Sequence, residues 1–211
     1  MAPDRKTFIM NSPEAAQALQ FQRDLIYRYA ACPSPTINTE SVTSPFIFQS
    51  GRVAMEVMGS WMIPTYDTLD FDYGITYIPK SPYSGKRVPM AYPNGFGMSA
   101  RGRNKDAAWK YISYVASREG QEILASAGLG MPTNIAVANS PIFMNSSPKA
   151  DMKVVVNSME IAQGPITCAK WGEIYDNAIG PLGDEIFLNM RDTQQVLNEM
   201  KTKVEAITST L

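Results

Sequence analysis

The chain is 211 residues long, 45% hydrophobic and 18% charged, which suits one large soluble domain or one lobe of a larger protein. Its 19 basic and 20 acidic residues leave a formal net charge of −1 with no block of like sign, which argues against a nucleic-acid surface built on clustered Lys and Arg. Histidine is absent, and this removes Ser-His and Cys-His catalysis, His-based metal sites and His proton relays.

The polar start, Met1 to Lys6, carries no apolar signal segment, so a signal for an exported parent is expected upstream. No run is long or apolar enough to span a membrane. Ser12-Pro13-Glu14 reads as a helix start: Ser caps, Pro suits the first position and Glu meets the positive end of the dipole. Ala18, Phe21, Leu25 and Tyr29 then share a face. The helix is expected to end near Ala31, ahead of Pro33 and Pro35. Residues 32–44 read as a loop.

Ser44-Pro45 opens a short helix with Phe46, Ile47 and Phe48, stopped by Gly51. Val53, Met55 and Val57 alternate as a strand does, and Gly59-Ser60 breaks it to deliver Trp61 at its end. Tyr73 to Ile78 reads as a second strand, 79–87 as a turn-rich crossing segment, and 88–100 as extended with an interruption at Pro93-Asn94-Gly95. Asn104 is expected to cap a helix with Ala108, Tyr111, Ile112 and Val115 buried. Ser117 caps another, with Ile123, Leu124 and Ala127 inward and Gly128 and Gly130 at its end.

Met131 to Pro141 reads as an apolar loop. Ser147-Pro148 starts a helix bearing Met152, Val155, Met159 and Ala162, ended by Gly164-Pro165. A loop over 165–171 presents Cys168 and Trp171. A helix from about Gly172 carries Tyr175, Ile179, Leu182 and Ile186, kinked or restarted at Gly180-Pro181. The last helix begins at Asp192-Thr193, with Leu197, Met200, Val204, Ile207 and Leu211 at a steady 3-4-3-4 step. The sum is an α/β chain of about seven helices and three or four short strands. The two cysteines, Cys32 and Cys168, have no C-x-x-C spacing. Two buried free thiols are expected, with a disulfide left open for an extracellular setting.

Four blocks then carry a resemblance. Gly51-Arg-Val-Ala-Met-Glu-Val-Met-Gly-Ser-Trp61 is similar to a G-K-V-A-M-x-x-x-G-S-W pattern, with Arg52 for the usual Lys. Tyr73 to Pro79 is similar to a W/Y-G-V-x-P-L-P strand. Asn94-Gly-Phe-Gly-Met-Ser99 resembles G-N-G-x-x-I-S, and Ser117 to Pro132 resembles S-x-E-G-Q-x-x-x-A-x-x-G-x-x-P. In this order they resemble the bacterial extracellular solute-binding proteins of ABC sugar importers, family 1, the maltose-binding-protein-like group. That group's chains are roughly twice this length, so the chain resembles its C-terminal half.

The resemblance implies a type II periplasmic-binding-protein-like fold, with residues 3–78 and 135–211 in a discontinuous C-terminal lobe. Residues 90–130 would be a hinge-crossing segment of the N-terminal lobe, most of which is absent. It implies sugar held in an inter-lobe cleft, delivery to the membrane subunits of an ABC permease, and an extracellular or periplasmic place. Cofactor, metal and catalysis are not implied. Without its partner lobe, the segment 90–130 is expected to expose an apolar face that favours self-association.

Sugar recognition needs aromatic rings against the apolar faces of a pyranose and directional hydrogen bonds to its hydroxyls. Trp61, with Ser60 beside it, is expected to project from a strand end, where the family commonly places a sugar-stacking Trp, against the case for a core Trp near a turn. Trp171 lies in Lys170-Trp171-Gly-Glu173-Ile174, where the family places an aromatic or polar contact, against an equal case for packing between loop and helix. Asn94 and Gly95 offer donor, acceptor and close backbone approach, flanked by Tyr92 and Phe96; the bland reading is an ordinary turn or bulge. Trp109 reads as packing, and the 13 methionines as core filler. A carbohydrate-active enzyme fragment using paired carboxylates is the alternative, but the acids are scattered on predicted helix surfaces.

Overall fold

The computed structural model of the protein describes residues 1–33, 46–166, 168–188 and 190–211. In chain order its helices are α1 (Pro13–Tyr27), α2 (Phe46–Gln49), α3 (Ile63–Tyr66), α4 (Lys105–Ala116), α5 (Arg118–Ser126), α6 (Ile135–Ala138), α7 (Pro141–Met144), α8 (Met152–Met159), α9 (Trp171–Ile174), α10 (Gly180–Phe187) and α11 (Thr193–Thr208). A 3₁₀ turn covers Ser60–Met62, and a π turn, Tyr175–Ile179, joins α9 to α10. The elements fall into two compact units, Met1–Thr43 with Ile166–Leu211, and Ser44–Pro165.

The first unit is built on α11. Asp192 caps it, accepting from the Gln195 N–H at 2.8 Å. The 3-4 step places Leu197, Met200 and Val204 in the core with Val196, Ile174, Ala178, Leu182, Ile186 and Phe8. Each large apolar side chain buried this way contributes about 1.5–3 kcal/mol. Glu205 accepts from the Phe8 N–H at 3.2 Å, and the buried Thr208 hydroxyl donates to the Lys6 carbonyl at 2.8 Å, tying the N-terminal residues to α11.

The helix that carries Pro181 is continuous rather than broken. Pro181 has no N–H to give and crowds the preceding turn. The π turn absorbs the misfit, with the Gly180 N–H reaching back to the Tyr175 carbonyl. The inward row is Ile174, Ala178, Leu182 and Ile186; Tyr175 is exposed, which corrects its expected burial.

Helix α1 is capped as expected, with Ser12 Oγ accepting from the Ala15 N–H at 3.2 Å. It stops at Tyr27, before the prolines. Ala30 takes a left-handed conformation, φ 48°, and the Ala31 N–H bonds the Leu25 carbonyl at 2.8 Å, folding the chain back. Its inward face is also not the expected one. Ala15, Ala16 and Leu19 pack on the core, while Ala18, Phe21 and Tyr29 are exposed. The sequence holds two overlapping apolar stripes, and packing against α11 selects one.

The cysteines, both in this unit, are free. Cys32 is exposed, against the expectation of burial, and half-buried Cys168 donates weakly to the Arg5 carbonyl at 3.5 Å.

In the second unit, α2 ends where Gly51 was expected to stop it, with the Gly51 N–H on the Phe48 carbonyl at 2.9 Å. The Ser44-Pro45 start and most of the 32–44 loop lie outside the described residues. The expected strands form no ladder among the described residues. One parallel bridge, Met90 with Gln163, is their whole pairing. Residues 71, 73, 75 and 77 still alternate inward with 72, 74 and 76 outward, the two-residue period of extended chain. Their inward side chains Tyr73 and Ile75 pack on a core of Ile63, Ala125, Val137, Phe143, Ala150 and Met152, so side-chain packing, not a neighbouring strand, holds this segment. Over 53–57 the phase is reversed. Met55 and Val57 are 87% and 80% exposed, while Glu56 turns in to accept from the Tyr66 hydroxyl at 2.7 Å.

Ser117 caps α5, accepting from the Gly120 N–H at 3.2 Å. The inward residues of α5 are small, Gly120 and Ala125, and Ile123, Leu124 and Ala127 face out, correcting the expected stripe. A Cβ on Gly120 would stand 2.3 Å from the Tyr114 carbonyl oxygen, so close approach of the chain leaving α4 decides this face. Asn104 precedes α4 but its side chain makes no capping bond, and α4 buries no residue fully; Ala108, Ile112 and Val115 are half-buried and Tyr111 is exposed.

The stretch 131–141, expected as a loop, contains a helix: the Asn134 side chain accepts from the Ala136 and Val137 N–H groups at 3.0 and 3.2 Å and starts α6. Ser147 caps only a turn, accepting from Ala150 N–H at 2.8 Å. The helix begins four residues later, where Asp151 accepts from Lys153 N–H, and it ends at Met159, well before Gly164. Met152 is buried in it and Met159 exposed. The methionines as a set are divided, with Met152 and Met200 in cores and Met55, Met90, Met98 and Met190 outside.

Candidate functional site

Trp61 sits at the centre of a short, firmly held corner. Gly59 is extended, φ −80° and ψ 152°, and Ser60–Met62 turn in a 3₁₀ arc that runs into α3. The Ser60 carbonyl accepts from the Ile63 N–H and closes the corner. The indole folds back over Gly59, where a Cβ would stand 2.2 Å from the ring. This is a physical reason for Gly two positions before Trp: any side chain there displaces the indole.

Helix α3 is anchored by what it buries. Ile63 and Tyr66 are buried. Phe48, Tyr66, Phe71 and Tyr73 form an aromatic cluster, with Phe48 5.1 Å from Tyr66 and 5.7 Å from Phe71, and Tyr66 5.9 Å from Tyr73. Burial, then the Glu56 carboxylate, pushes the Tyr66 phenol well above its ordinary range. Burial, then the hydrogen bond to Asp67 at 2.7 Å, pushes Tyr73 up to about 12. Both phenols therefore stay protonated donors and hold α3 in place. Asp67 also accepts from Ser147 Oγ at 2.9 Å.

Against this corner stands Tyr92. Its ring centroid is 6.4 Å from that of Trp61, at 77°, an edge-to-face pair. Trp61 is 53% exposed and Tyr92 58% exposed, so the two rings make a wet aromatic surface rather than core. The segment bearing Tyr92 is fixed just upstream, where Ala91 N–H bonds the Gln163 carbonyl at 2.9 Å and Gln163 N–H bonds the Pro89 carbonyl at 2.9 Å.

Four residues on, Phe96, 57% exposed, forms a second edge-to-face pair with Tyr111 of α4, centroids 6.5 Å apart at 84°. Asn94 and Gly95 lie between the two pairs on exposed chain, and Gly95 has open space where a side chain would stand. Ser60 is half-buried beside Trp61. Tyr111 was missed by sequence reasoning because its spacing on α4 assigns it to the buried stripe; its partner, an exposed ring on extended chain, leaves no mark in helical periodicity.

Trp171 lies in the other unit. It opens α9 and is half-buried against the core around Ile174 and Val204, a packing role for at least part of its ring. Trp109, expected to pack, is 63% exposed on α4. Among the described residues no group of three His, Cys, Asp or Glu side chains is placed to hold a metal ion, and no helix is long and apolar enough to cross a membrane.

Residues 1–151 match the bacterial extracellular solute-binding protein family. The chain belongs to this family. A maltotriose-binding protein of Pyrococcus abyssi is 25% identical over 175 residues, 78% of this chain and 36% of that protein. An ABC substrate-binding protein of Listeria monocytogenes in complex with cycloalternan superposes with a TM-score of 0.87 at 18% identity, over 99% of this chain and 53% of that one. A maltose/maltodextrin-binding domain from Bdellovibrio bacteriovorus bound to maltotriose gives a TM-score of 0.82 at 20% identity, over 98% and 53%. The fold is therefore that of a type II periplasmic binding protein, and this chain spans about half the length of the structures it superposes on, and less of the curated relative. The family is one of binding proteins, not of catalysts.

Proposed function

We propose that this chain is the carbohydrate-contacting half of a solute-binding protein serving an ABC importer, and that Trp61 and Tyr92 form the stacking surface for a sugar ring. The observation that carries the reading is the Trp61–Tyr92 pair: two aromatic rings, both more than half exposed, one on an anchored corner and the other on the segment bonded to Gln163. Pyranose rings present apolar C–H faces to such surfaces, and the neighbouring Asn94 amide, Gly95 backbone and Ser60 hydroxyl supply the polar contacts that hydroxyls need. The relatives that bind maltotriose or cycloalternan support an oligosaccharide as ligand. Trp171, which the family resemblance names, is proposed as a further sugar contact.

In the whole protein we propose that 3–78 and 135–211 belong to a C-terminal lobe and 90–130 to an N-terminal one. These boundaries differ from those of the two compact units, which divide after residues 43 and 165. Closure of two lobes on ligand, docking on a permease and an extracellular or periplasmic place complete the proposal. The exposed Trp109, Tyr111, Tyr114, Ile123 and Leu129 would then be covered by the partner lobe, and in the isolated chain they favour self-association. Equilibrium dialysis against labelled maltotriose tests the reading in a protein completed to the length of its relatives. Saturable binding that Trp61→Ala weakens about tenfold or more supports it; no binding of any oligosaccharide contradicts it.

A further inference from the structure

A second candidate site lies in the second unit. An open cleft of about 480 Å³ is lined by Lys80, Lys86, Arg87, Val88, Ile161 and Gln163. Three of these six residues are cations, and none of the three makes an ion pair among the described residues. The turn between Lys80 and Arg87 is closed by the Ser81 N–H on the Lys86 carbonyl at 2.9 Å and the Gly85 N–H on the Ser81 carbonyl at 2.8 Å. The charges are therefore held on a structured turn rather than a free tail.

Arg87 is the most constrained of the three. Its guanidinium lies 5.2 Å over the Tyr77 ring, and Tyr77 is itself held by the Asn157 amide at 3.0 Å. Its Nε is buried with no hydrogen-bond partner among the described residues. The buried Nε is closed to any outside acceptor, but a guanidinium with no ion pair among the described residues remains an unmatched charge, which an anion at its terminal nitrogens would offset. The guanidinium fork suits the paired oxygens of an oxyanion, and the two ammonium groups add charge without demanding a direction. Val88 and Ile161 give the cleft an apolar wall, and the Gln163 side-chain amide makes no hydrogen bond among the described residues.

We propose that this cleft binds a small tetrahedral oxyanion, a phosphate group, with Arg87 as its principal partner and Lys80 and Lys86 as its charge. The group can come from free phosphate or from a phosphorylated sugar whose ring lies on Val88 and Ile161. Calorimetric titration at low ionic strength, where screening is weak, tests this with two probes, inorganic phosphate and glucose 6-phosphate. Saturable single-site binding of either probe is expected, with tighter binding of glucose 6-phosphate marking the phosphorylated sugar as the source. Arg87→Gln is expected to weaken it about tenfold or more. Circular dichroism checks that the variant is folded; if it is not, Lys86→Gln, on an exposed residue, carries the same test with a smaller loss. Absence of saturable binding by both probes, or binding unchanged in Arg87→Gln and Lys86→Gln, overturns the proposal.

Discussion

The Trp61 indole lies across the backbone of Gly59, so close that a Cβ on Gly59 would stand 2.2 Å from the ring. The ring is the far end of a side chain that is more than half exposed, and it can swing away. Gly59→Ala is therefore expected to cost little stability, under about 1 kcal/mol, while moving Trp61 away from Tyr92. Tryptophan emission checks the displacement, and thermal unfolding checks that the fold survives. An unchanged emission spectrum would mean that the indole is not held by this contact.

Gly120 predicts the opposite balance. Its missing Cβ would meet the Tyr114 and Val115 carbonyl oxygens at 2.3 and 2.7 Å, and backbone cannot swing aside. Gly120→Ala is expected to destabilise the second unit by about 1–3 kcal/mol, read as a lower urea midpoint.

The core of the first unit rests on α11, where Leu197 is fully buried. Leu197→Ala is expected to cost about 2–5 kcal/mol, from lost burial and the cavity left behind. Chemical denaturation checks this, and Leu211→Ala, on an exposed side chain past the end of α11, serves as the control with a change within about 0.5 kcal/mol.

Tyr73 makes stability depend on alkaline pH. Its phenol is raised from 10.0 to about 12 by burial and then by the Asp67 hydrogen bond, so the fold favours the protonated form. The stability it contributes is fully present below pH 10 and is lost as pH rises toward 12. Tyr73→Phe is expected to have lower stability at neutral pH and a flatter decline across that window, measured by urea unfolding at stepped pH.

How much of this was legible depends on what each residue answers to. The α11 stripe from Leu197 to Ile207 and the Ser12, Ser117 and Asp192 caps were readable because a single local rule decides each, whereas Leu211, expected on the same stripe, lies past the helix end and is exposed. The inward faces of α1 and α5 were not. Both sequences carry two possible stripes, and the choice falls to a distant partner: α11 in one case, the crowded carbonyls beside Gly120 in the other. The strands were overread because alternation marks a buried side of extended chain, whether or not another strand lies alongside; Tyr73 and Ile75 satisfy it by packing on helices. In the candidate site Trp61, Tyr92 and Phe96 were legible as aromatics beside chain breaks. Tyr111 was not, because exposure on a helix is set by what packs there.

The central claim is that Trp61 and Tyr92 offer a sugar-stacking surface. Proton–nitrogen NMR of the isolated chain tests it most directly, because its three tryptophans give three indole N–H signals, assigned by single Trp→Phe variants. Titration with maltotriose is predicted to move the Trp61 signal saturably, with an affinity on the order of millimolar for half a cleft, and to leave Trp109 still. A Trp61 signal that does not move, or one that moves no more than that of Trp109, would contradict the account.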